Sequence, residues 1–286
     1  ITQGSLSTTP QTCYAYRVYT WWKETFPQAE FAYCNAGIGG TTSEFGVARV
    51  GTDLLAERPD FVIVEFSVND ESTEHFKETY EGLVRKILGA AWNPAVLLVH
   101  NVFYHNGANA QVMHAAIGRH YDLPSVSMQS SIYPEVVAGR IENRAITPDD
   151  LHPNDEGHAL VASVITYFLE QVRSGKLTGS NTSFVPGAKL PAPLTKNAYE
   201  DSVRIRNAAA PDMAGLQQPT LDGFTPDETA QNEITDCFRY GWTAEKTGDA
   251  ITFLAEGSCI AVQYRKSVKL PAPAALAVVD DDTEHA

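Results

Sequence analysis

The first 175 residues alternate short apolar segments with stretches of helical periodicity, and this alternation constrains the fold most strongly. The apolar segments are rich in β-branched and aromatic residues and predict strands over residues 61–66, 96–103 and 124–128. The intervening stretches have apolar residues at three- and four-residue steps and predict helices over residues 14–26, 73–88, 109–120 and 155–172. Such alternation predicts an α/β fold, in which a parallel sheet has helices on both faces.

The pattern changes after a polar stretch at residues 174–183, which contains glycine and serine and predicts a linker. Beyond it, period-two alternation appears in residues 202–206, 251–254, 260–264 and 275–279. These segments predict a small β-sandwich, with fewer strands than the roughly seven that a sandwich needs. The predicted domains are therefore residues 1–176, of α/β type, and residues 184–286, β-sandwich-like and incomplete.

The charge of the chain excludes two classes of partner. With 21 basic and 35 acidic residues, its formal net charge is −14. An acidic chain is repelled by a phosphate backbone and by an anionic membrane surface, so we expect neither nucleic acid nor membrane as a partner.

Four sparse cysteines and no visible signal sequence favour a cytoplasmic location. Secretion is the alternative, because the chain opens with Ile1 and not with methionine. The sequence indicates no particular oligomeric state.

A carboxylate and an imidazole lie just ahead of the predicted helix at residues 155–172. Asp149 precedes His152 by three residues, so a turn can bring its carboxylate to the Nδ1 proton of the ring and leave Nε2 free as a general base. The alternative is an ordinary exposed histidine in an Asp-rich helix start. A metal site formed by Asp149, His152 and His158 is a further alternative.

Two other segments follow predicted strands, where ligands bind in open α/β sheets. Asn69 comes after residues 61–66 and can direct its amide at a developing oxyanion, or can simply form a turn. A glycine-rich segment at residues 35–42 comes after an apparent strand at residues 31–34. It fits neither a dinucleotide fingerprint nor a phosphate-binding P-loop. It is therefore either a plain turn or a loop that presents backbone N–H donors.

Taken in order, four segments resemble the sequence blocks of the SGNH (GDSL-type) hydrolase family. The matching residues are Ile1-Thr2-Gln3-Gly4, then Asn35, Gly37, Ile38 and Gly40, then Asn69 and Asp70, and finally Asp149, His152, Pro153 and Asn154. The last group matches the family pattern Asp-x-x-His-Pro-Asn. The resemblance covers about residues 1–172.

The resemblance implies a three-layer α/β/α fold and a serine esterase that uses a Ser-His-Asp mechanism. His152 would be the general base, and Asp149 would orient its ring. The Gly40 N–H and the Asn69 side-chain amide would bind the oxyanion. No metal or organic cofactor is implied.

The serine of the family pattern is not in this chain. The resemblance places it immediately before Ile1, so we expect this chain to be a fragment that has little or no activity. Ser5 and Ser7 are alternatives, but both fall in the segment expected to form the following loop.

The substrate expected from the resemblance is a small-molecule or oligosaccharide ester, with acetyl as the acyl group. A trailing β domain is similar to arrangements in carbohydrate-active esterases. A lipase or thioesterase of the same family is one alternative. A non-catalytic carbohydrate-binding protein, in which the β domain has the function, is the other.

Overall fold

The computed structural model describes residues 1–177, 189–207, 217–229, 236–265, 273–280 and 282. The helices are α1 Tyr14–Thr25, α2 Ser43–Asp53, α3 Glu74–Leu88, α4 Gln111–His120, α5 Ile132–Val137, α6 Asn143–Ile146 and α7 Asp155–Arg173, with 3-10 turns at Pro10–Thr12 and Leu55–Glu57. The strands are β1 Phe61–Val64, β2 Ala95–His100, β3 Ser125–Ser127, β4 Thr220–Asp222, β5 Thr225–Pro226, β6 Trp242–Thr243 and β7 Ala250–Thr252.

The first three strands form a parallel sheet of order β1-β2-β3. Ile63 pairs with Leu97, and Val99 pairs with Val126. Parallel neighbours need a crossover connection, and α3 and α4 provide the two crossovers. The parallel sheet predicted from the sequence is confirmed, with strands slightly shorter than the apolar segments.

Strand β2 divides the hydrophobic core into two layers, because successive side chains of a strand point to opposite faces. Leu97 and Val99 belong to a cluster that includes residues of α1 and α7. Val96 and Leu98 belong to a second cluster, which includes residues of α2, α3 and α4. Helices therefore cover both faces of the sheet, which is the three-layer α/β/α arrangement.

The four helices predicted from apolar periodicity are all present, with ends shifted by at most two residues. Helix α7 begins where its cap predicts, since the Asn154 side chain accepts a hydrogen bond from the Gly157 N–H at 3.0 Å. Asp155 and Glu156 in its first turn interact favourably with the helix dipole. This helix start fixes the end of the loop that contains His152.

The apparent strand at residues 31–34 is an error of the sequence prediction. The segment has no regular secondary structure, although its residues are apolar. A strand is defined by its hydrogen-bonded neighbour, and among the described residues none pairs with this segment.

The β-sandwich predicted for the C-terminal region is not confirmed. Its described residues contain two antiparallel pairs, β4 with β7 and β5 with β6. The predicted strands at residues 202–206 and 260–264 have no regular structure, and in residues 275–279 only an isolated bridge from Val279 to Asp282 forms. Most of the predicted linker, residues 178–183, lies outside the described residues.

Residues 189–207, which follow the predicted linker, run along α3. The Glu81 carboxylate of α3 accepts hydrogen bonds from the backbone N–H groups of Leu194 and Thr195, at 2.6 and 2.7 Å. Arg85 of the same helix forms an ion pair with Glu200 at 2.6 Å. The segment thus packs on the α/β layers, while the proposed domain boundary remains a prediction. Within the residues described, no helix is both long and apolar enough to cross a membrane.

Candidate active site

Asp149 and His152 form the closest pair of ionisable groups in the candidate site. The Nδ1 atom of His152 lies 2.6 Å from Oδ2 of Asp149. The other carboxylate oxygen accepts the backbone N–H of His152 at 2.7 Å and that of Leu151 at 3.1 Å. A proton on Nδ1 satisfies the carboxylate and leaves Nε2 unprotonated, as a general base requires.

The electrostatics of this turn keep Asp149 ionised. Its partial burial alone would raise the pKa of the carboxyl, but hydrogen bonds from the His152 ring and from the backbone of His152 and Leu151 lower that pKa below its usual value. The side chains of Asp149 and His152 are 46% and 36% exposed, so the pair lies at the surface, where a substrate can reach it.

The backbone around the pair is held by the next carboxylate in the chain. Asp150 has a φ of +70°, a conformation that Asn and Asp adopt more readily than other non-glycine residues. Its side chain accepts hydrogen bonds from Asn143 at 2.6 Å and from Arg144 at 2.9 Å. Its backbone carbonyl accepts the Tyr104 N–H at 2.8 Å, which ties the turn to the segment after β2.

The glycine-rich segment forms a loop that ends at α2. Gly40 is exposed, with a φ of +68°. Among the described residues its N–H donates no hydrogen bond. The neighbouring backbone is anchored, because the Gly39 N–H donates to Gln3 Oε1 at 2.5 Å and Thr41 donates to the Ile38 carbonyl at 2.7 Å. An anchored loop with a free N–H fits an oxyanion donor.

Asn69 lies in the turn that follows β1. Its N–H donates to the Phe66 carbonyl at 3.0 Å, and its side chain makes no hydrogen bond with any described residue. The next residue, Asp70, is buried and accepts the Ser43 N–H at 2.8 Å. Asp70 also contacts Nε2 of His114 at 3.0 Å. The turn is therefore bound to the start of α2, next to the loop of Gly40.

The first eight residues connect this loop to the helix behind His152. On one side, the Asn35 side chain donates to the Thr2 carbonyl at 2.7 Å. On the other, the Thr8 N–H donates to Asp155 at 2.9 Å, and His158 Nε2 lies 3.2 Å from the Ser5 carbonyl. Residues 1–8 thus contact both the segment before Gly40 and the first turns of α7.

The hydrogen bonds of the described residues join Asp149 to His152 and do not join either of them directly to Gly40 or Asn69. Among the described residues, the only side-chain hydrogen bond of the His152 ring is the one from Nδ1 to Asp149, and Nε2 makes none with a hydroxyl group. The Ser7 hydroxyl donates to the Gly4 carbonyl at 2.6 Å. The catalytic roles of Asp149 and His152, and the oxyanion-binding roles of Gly40 and Asn69, therefore remain predictions.

His158 does not fit the alternative of a metal site with Asp149 and His152. Its Nδ1 accepts the Tyr14 N–H at 3.3 Å, so Nε2 carries the proton that is donated to the Ser5 carbonyl. Burial lowers the pKa of this imidazole, partly opposed by the Ser5 carbonyl. Both ring nitrogens are thus engaged. Across the described parts of the chain, no group of three or more potential ligands could hold a metal ion.

Several supporting residues were not identified from the sequence. Gln3 anchors Gly39, His114 contacts Asp70, and Arg49 donates to the Ala36 carbonyl at 2.7 Å. A signal existed for Arg49, because Asp53 follows it by four residues on the same helix, the spacing at which opposite charges pair. No local pattern indicates the contact of Gln3, which joins residues far apart in the sequence.

The three-layer fold and a surface histidine oriented by a carboxylate define an α/β protein with the general base that acyl transfer requires. The chain belongs to the GDSL-like lipase/acylhydrolase family, whose model matches residues 1–160. The resemblance drawn from the four sequence segments is thereby confirmed. None of the curated protein sequences matches the chain.

Two solved structures are highly similar to this chain. Both are of a two-domain esterase (CEX) active on acetylated mannans, one of them co-crystallised with mannopentaose. The complex is 65% identical with a TM-score of 0.77, and the other structure is 66% identical with a TM-score of 0.78. Each match covers 87% of this chain, which spans 63% and 64% of the respective esterase chains.

A more distant structure, of the acetyl xylan esterase AlAXEase, shares the fold. It is 18% identical with a TM-score of 0.50, and the match covers 59% of this chain and 94% of the other.

Proposed function

We propose that this protein is a carboxylic ester hydrolase that removes acetyl groups from carbohydrate esters. The observation that supports it most directly is the 2.6 Å contact between His152 Nδ1 and Asp149 in an exposed turn. Family membership agrees with ester hydrolysis. The acetylated-mannan activity of the 65–66% identical esterase favours an acetylated mannan oligosaccharide or a related acetylated oligosaccharide as substrate.

In the proposed reaction, a serine hydroxyl attacks the ester carbonyl, and His152 Nε2 takes the hydroxyl proton. The C–O bond to the sugar then breaks, and the imidazolium returns that proton to the leaving alcohol. Water hydrolyses the acetyl-enzyme by the same two proton transfers, which releases acetate. Asp149 keeps the ring in the productive tautomer and stabilises the imidazolium.

The oxyanion of each tetrahedral intermediate would accept hydrogen bonds from the Gly40 N–H and the Asn69 side-chain amide. Both groups are without partners among the described residues, so neither must break a protein hydrogen bond to serve. One donor of this kind lowers the barrier by about 3–4 kcal/mol.

The proposed nucleophile is a serine immediately before Ile1 in a longer protein, as the family pattern implies. The experiment compares this chain with a version extended upstream, on acetylated mannooligosaccharides, on an aryl acetate and on a long-chain acyl ester. We expect acetate release by the extended version only, with preference for the acetylated sugar. Full activity of the shorter chain would overturn the placement of the nucleophile, and preference for the long acyl chain would favour a lipase.

Two histidine variants test whether His152 is the general base. His152→Ala in the extended protein should abolish most of the acetate release. His105→Ala removes an exposed histidine that is not part of the proposed site and should leave the rate unchanged. An extended protein that binds acetylated oligosaccharides and never releases acetate would instead be a carbohydrate-binding protein.

A further inference from the structure

Asp53, the last residue of α2, is a buried carboxylate shared by arginines from two regions of the chain. Its side chain is 1% exposed. Arg49, one helical turn earlier, lies 3.2 Å from Oδ2. From the C-terminal region, Arg239 lies 3.3 Å and Arg206 lies 3.8 Å from Oδ1. Asp53 is thus one of the points at which ion pairs join the two regions.

Arg49 extends this cluster towards the candidate site. Its Nη1 atom, which contacts Asp53, also donates to the Ala36 carbonyl at 2.7 Å. Its side chain is only 5% exposed. A buried guanidinium depends on its carboxylate partner, because an unpaired buried charge is strongly unfavourable. The position of Arg49, and with it that of Ala36, therefore depends on Asp53.

Ala36 lies near the start of the loop that contains Gly40. The Asn35 side chain accepts the Gly37 N–H at 2.9 Å, so the two residues beside Ala36 are also held. A Cβ atom on Gly37 would lie 2.7 Å from the backbone nitrogen of Gln3, which shows how closely this backbone packs. A shift of Ala36 would be transmitted along four residues to the Gly40 N–H.

Arg239 itself is held against α2 by a second arginine. The Arg204 side chain donates to the carbonyls of Cys237 and Arg239, at 2.9 and 2.8 Å. The Arg204 backbone N–H donates to the Ala48 carbonyl of α2 at 2.8 Å, and its guanidinium lies 5.3 Å from the Phe45 ring centroid. The C-terminal region is therefore fastened to the same helix that supports Ala36.

We propose that Arg239, Asp53 and Arg49 act as positioning residues, through which the C-terminal region holds the Gly40 loop in the geometry that oxyanion binding requires. The inference rests on the proposed function for the role of Gly40. It gives the C-terminal region a task in catalysis that is separate from sugar binding. The chain of contacts runs from Arg239 through Asp53 and Arg49 to the Ala36 carbonyl.

The test uses the protein extended upstream and measures hydrogen exchange of the hydrogen-bonded amides of Gly37 and Gly39, together with kcat and KM on an aryl acetate. In Arg239→Ala we expect exchange to rise by about 2-fold to 30-fold, the range typical of such coupling. We expect kcat to fall within the same range while KM changes less than about twofold. Arg239→Lys keeps the charge and should restore part of both values.

Arg265→Ala is the matched control, because Arg265 pairs with Asp236 at 3.7 Å in the same region and has no contact with Asp53 among the described residues. It should leave exchange and kcat unchanged. Arg239→Gln keeps most of the side-chain length and serves if Arg239→Ala does not fold.

Wild-type exchange at Gly37 and Gly39 in both Arg239→Ala and Arg239→Gln would overturn the inference, even if the enzyme is an esterase. Faster exchange in a protein that hydrolyses no ester would leave the structural link intact and refute the proposed function instead. Faster exchange with an unchanged kcat would also overturn the catalytic role.

Discussion

The two oxygens of Asp149 have separate tasks in the candidate site. Oδ1 accepts two backbone N–H groups of its own turn, which fixes the carboxylate before any substrate binds. Oδ2 is left for the His152 ring. The orientation of the base is therefore set within three consecutive peptide units, and the Tyr104 N–H ties that turn to the segment after β2.

Asp149→Asn is expected to reduce kcat by about 10²–10⁴-fold, because an amide cannot stabilise the imidazolium and can hold the wrong tautomer. Steady-state kinetics of the extended protein on an aryl acetate measure the effect. Asp150→Asn is the control, since Asn also tolerates a positive φ and Asp150 contacts Arg144 and not the ring. Equal losses in the two variants would contradict the assigned role of Asp149.

His100 provides a prediction for stability. Burial, together with the nearby His114, lowers the pKa of its imidazole to about 3. The unfolded chain therefore binds a proton that the folded chain does not, between about pH 6.5 and pH 3. The free energy of unfolding should fall in this window as the pH is lowered, by about 1.4 kcal/mol per pH unit from this group.

His100→Phe should remove that part of the slope, and Phe replaces a ring whose nitrogens have no hydrogen-bond partner among the described residues. Urea denaturation at a series of pH values gives the comparison. An identical slope in the variant and the wild type would show that His100 is protonated in the folded protein.

Two helical glycines give opposite expectations at the scale of the secondary-structure element. A Cβ atom on Gly157, in the first turn of α7, would lie 2.3 Å from the Ile146 carbonyl oxygen. A Cβ atom on Gly51 of α2 would have nothing within 4 Å. Gly157 therefore has no room for a side chain, whereas Gly51 has.

Gly157→Ala should therefore destabilise the protein by more than about 1 kcal/mol, because backbone atoms would have to move. Gly51→Ala should stabilise it by about 0.5–1 kcal/mol, since alanine has the higher helix propensity. Thermal unfolding of the two variants is the measurement. A higher melting temperature for Gly157→Ala would contradict the packing described at the start of α7.

Elements with strong periodicity and local signals were predictable from the sequence. Helix α7 combines a cap at Asn154, acidic residues in its first turn and a regular apolar face, and its predicted end was one residue short. The segment at residues 31–34 has apolar residues but no described neighbouring strand, and the alternation at residues 260–264 has none either. Strand formation depends on a distant partner, which a local pattern cannot indicate.

In the candidate site, too, the contact between residues close in sequence could be predicted, and the contacts between distant residues could not. Asp149 and His152 are three residues apart, so their contact could be predicted and is confirmed by the geometry. The support of Ala36 by Arg49 depends on Asp53 and on Arg239, which is 186 residues away from Asp53. Contacts over such separations follow only from the folded chain.

At the scale of the whole molecule, Glu81 is a buried anchor for residues 189–207. It is fully buried and accepts hydrogen bonds from Leu194, Thr195 and Tyr121. Burial alone would raise the pKa of this carboxyl, but the hydrogen bonds lower it below its usual value. Its contribution to stability is therefore present above about pH 4.3 and is lost as the pH falls further.

Glu81→Gln should release the segment, because the neutral amide accepts fewer and weaker hydrogen bonds. Cleavage by trypsin after the exposed Lys196 should become about 10-fold to 100-fold faster, as expected for the loss of hydrogen bonds to a charged group. Glu78→Gln is the control, since Glu78 accepts one backbone N–H, from Ala198 at 3.0 Å. Cleavage of Glu81→Gln at the wild-type rate would show that other contacts hold the segment.

The division of the core by strand β2 has a consequence for how the molecule loses its structure. Leu97 faces the layer that contains α7, and Leu98 faces the layer that contains α3. Truncating Leu97 weakens the packing of the layer behind the His152 turn. Truncating Leu98 weakens the packing of the layer that anchors residues 189–207. Substitutions at two adjacent positions of one strand can therefore destabilise the two core layers separately.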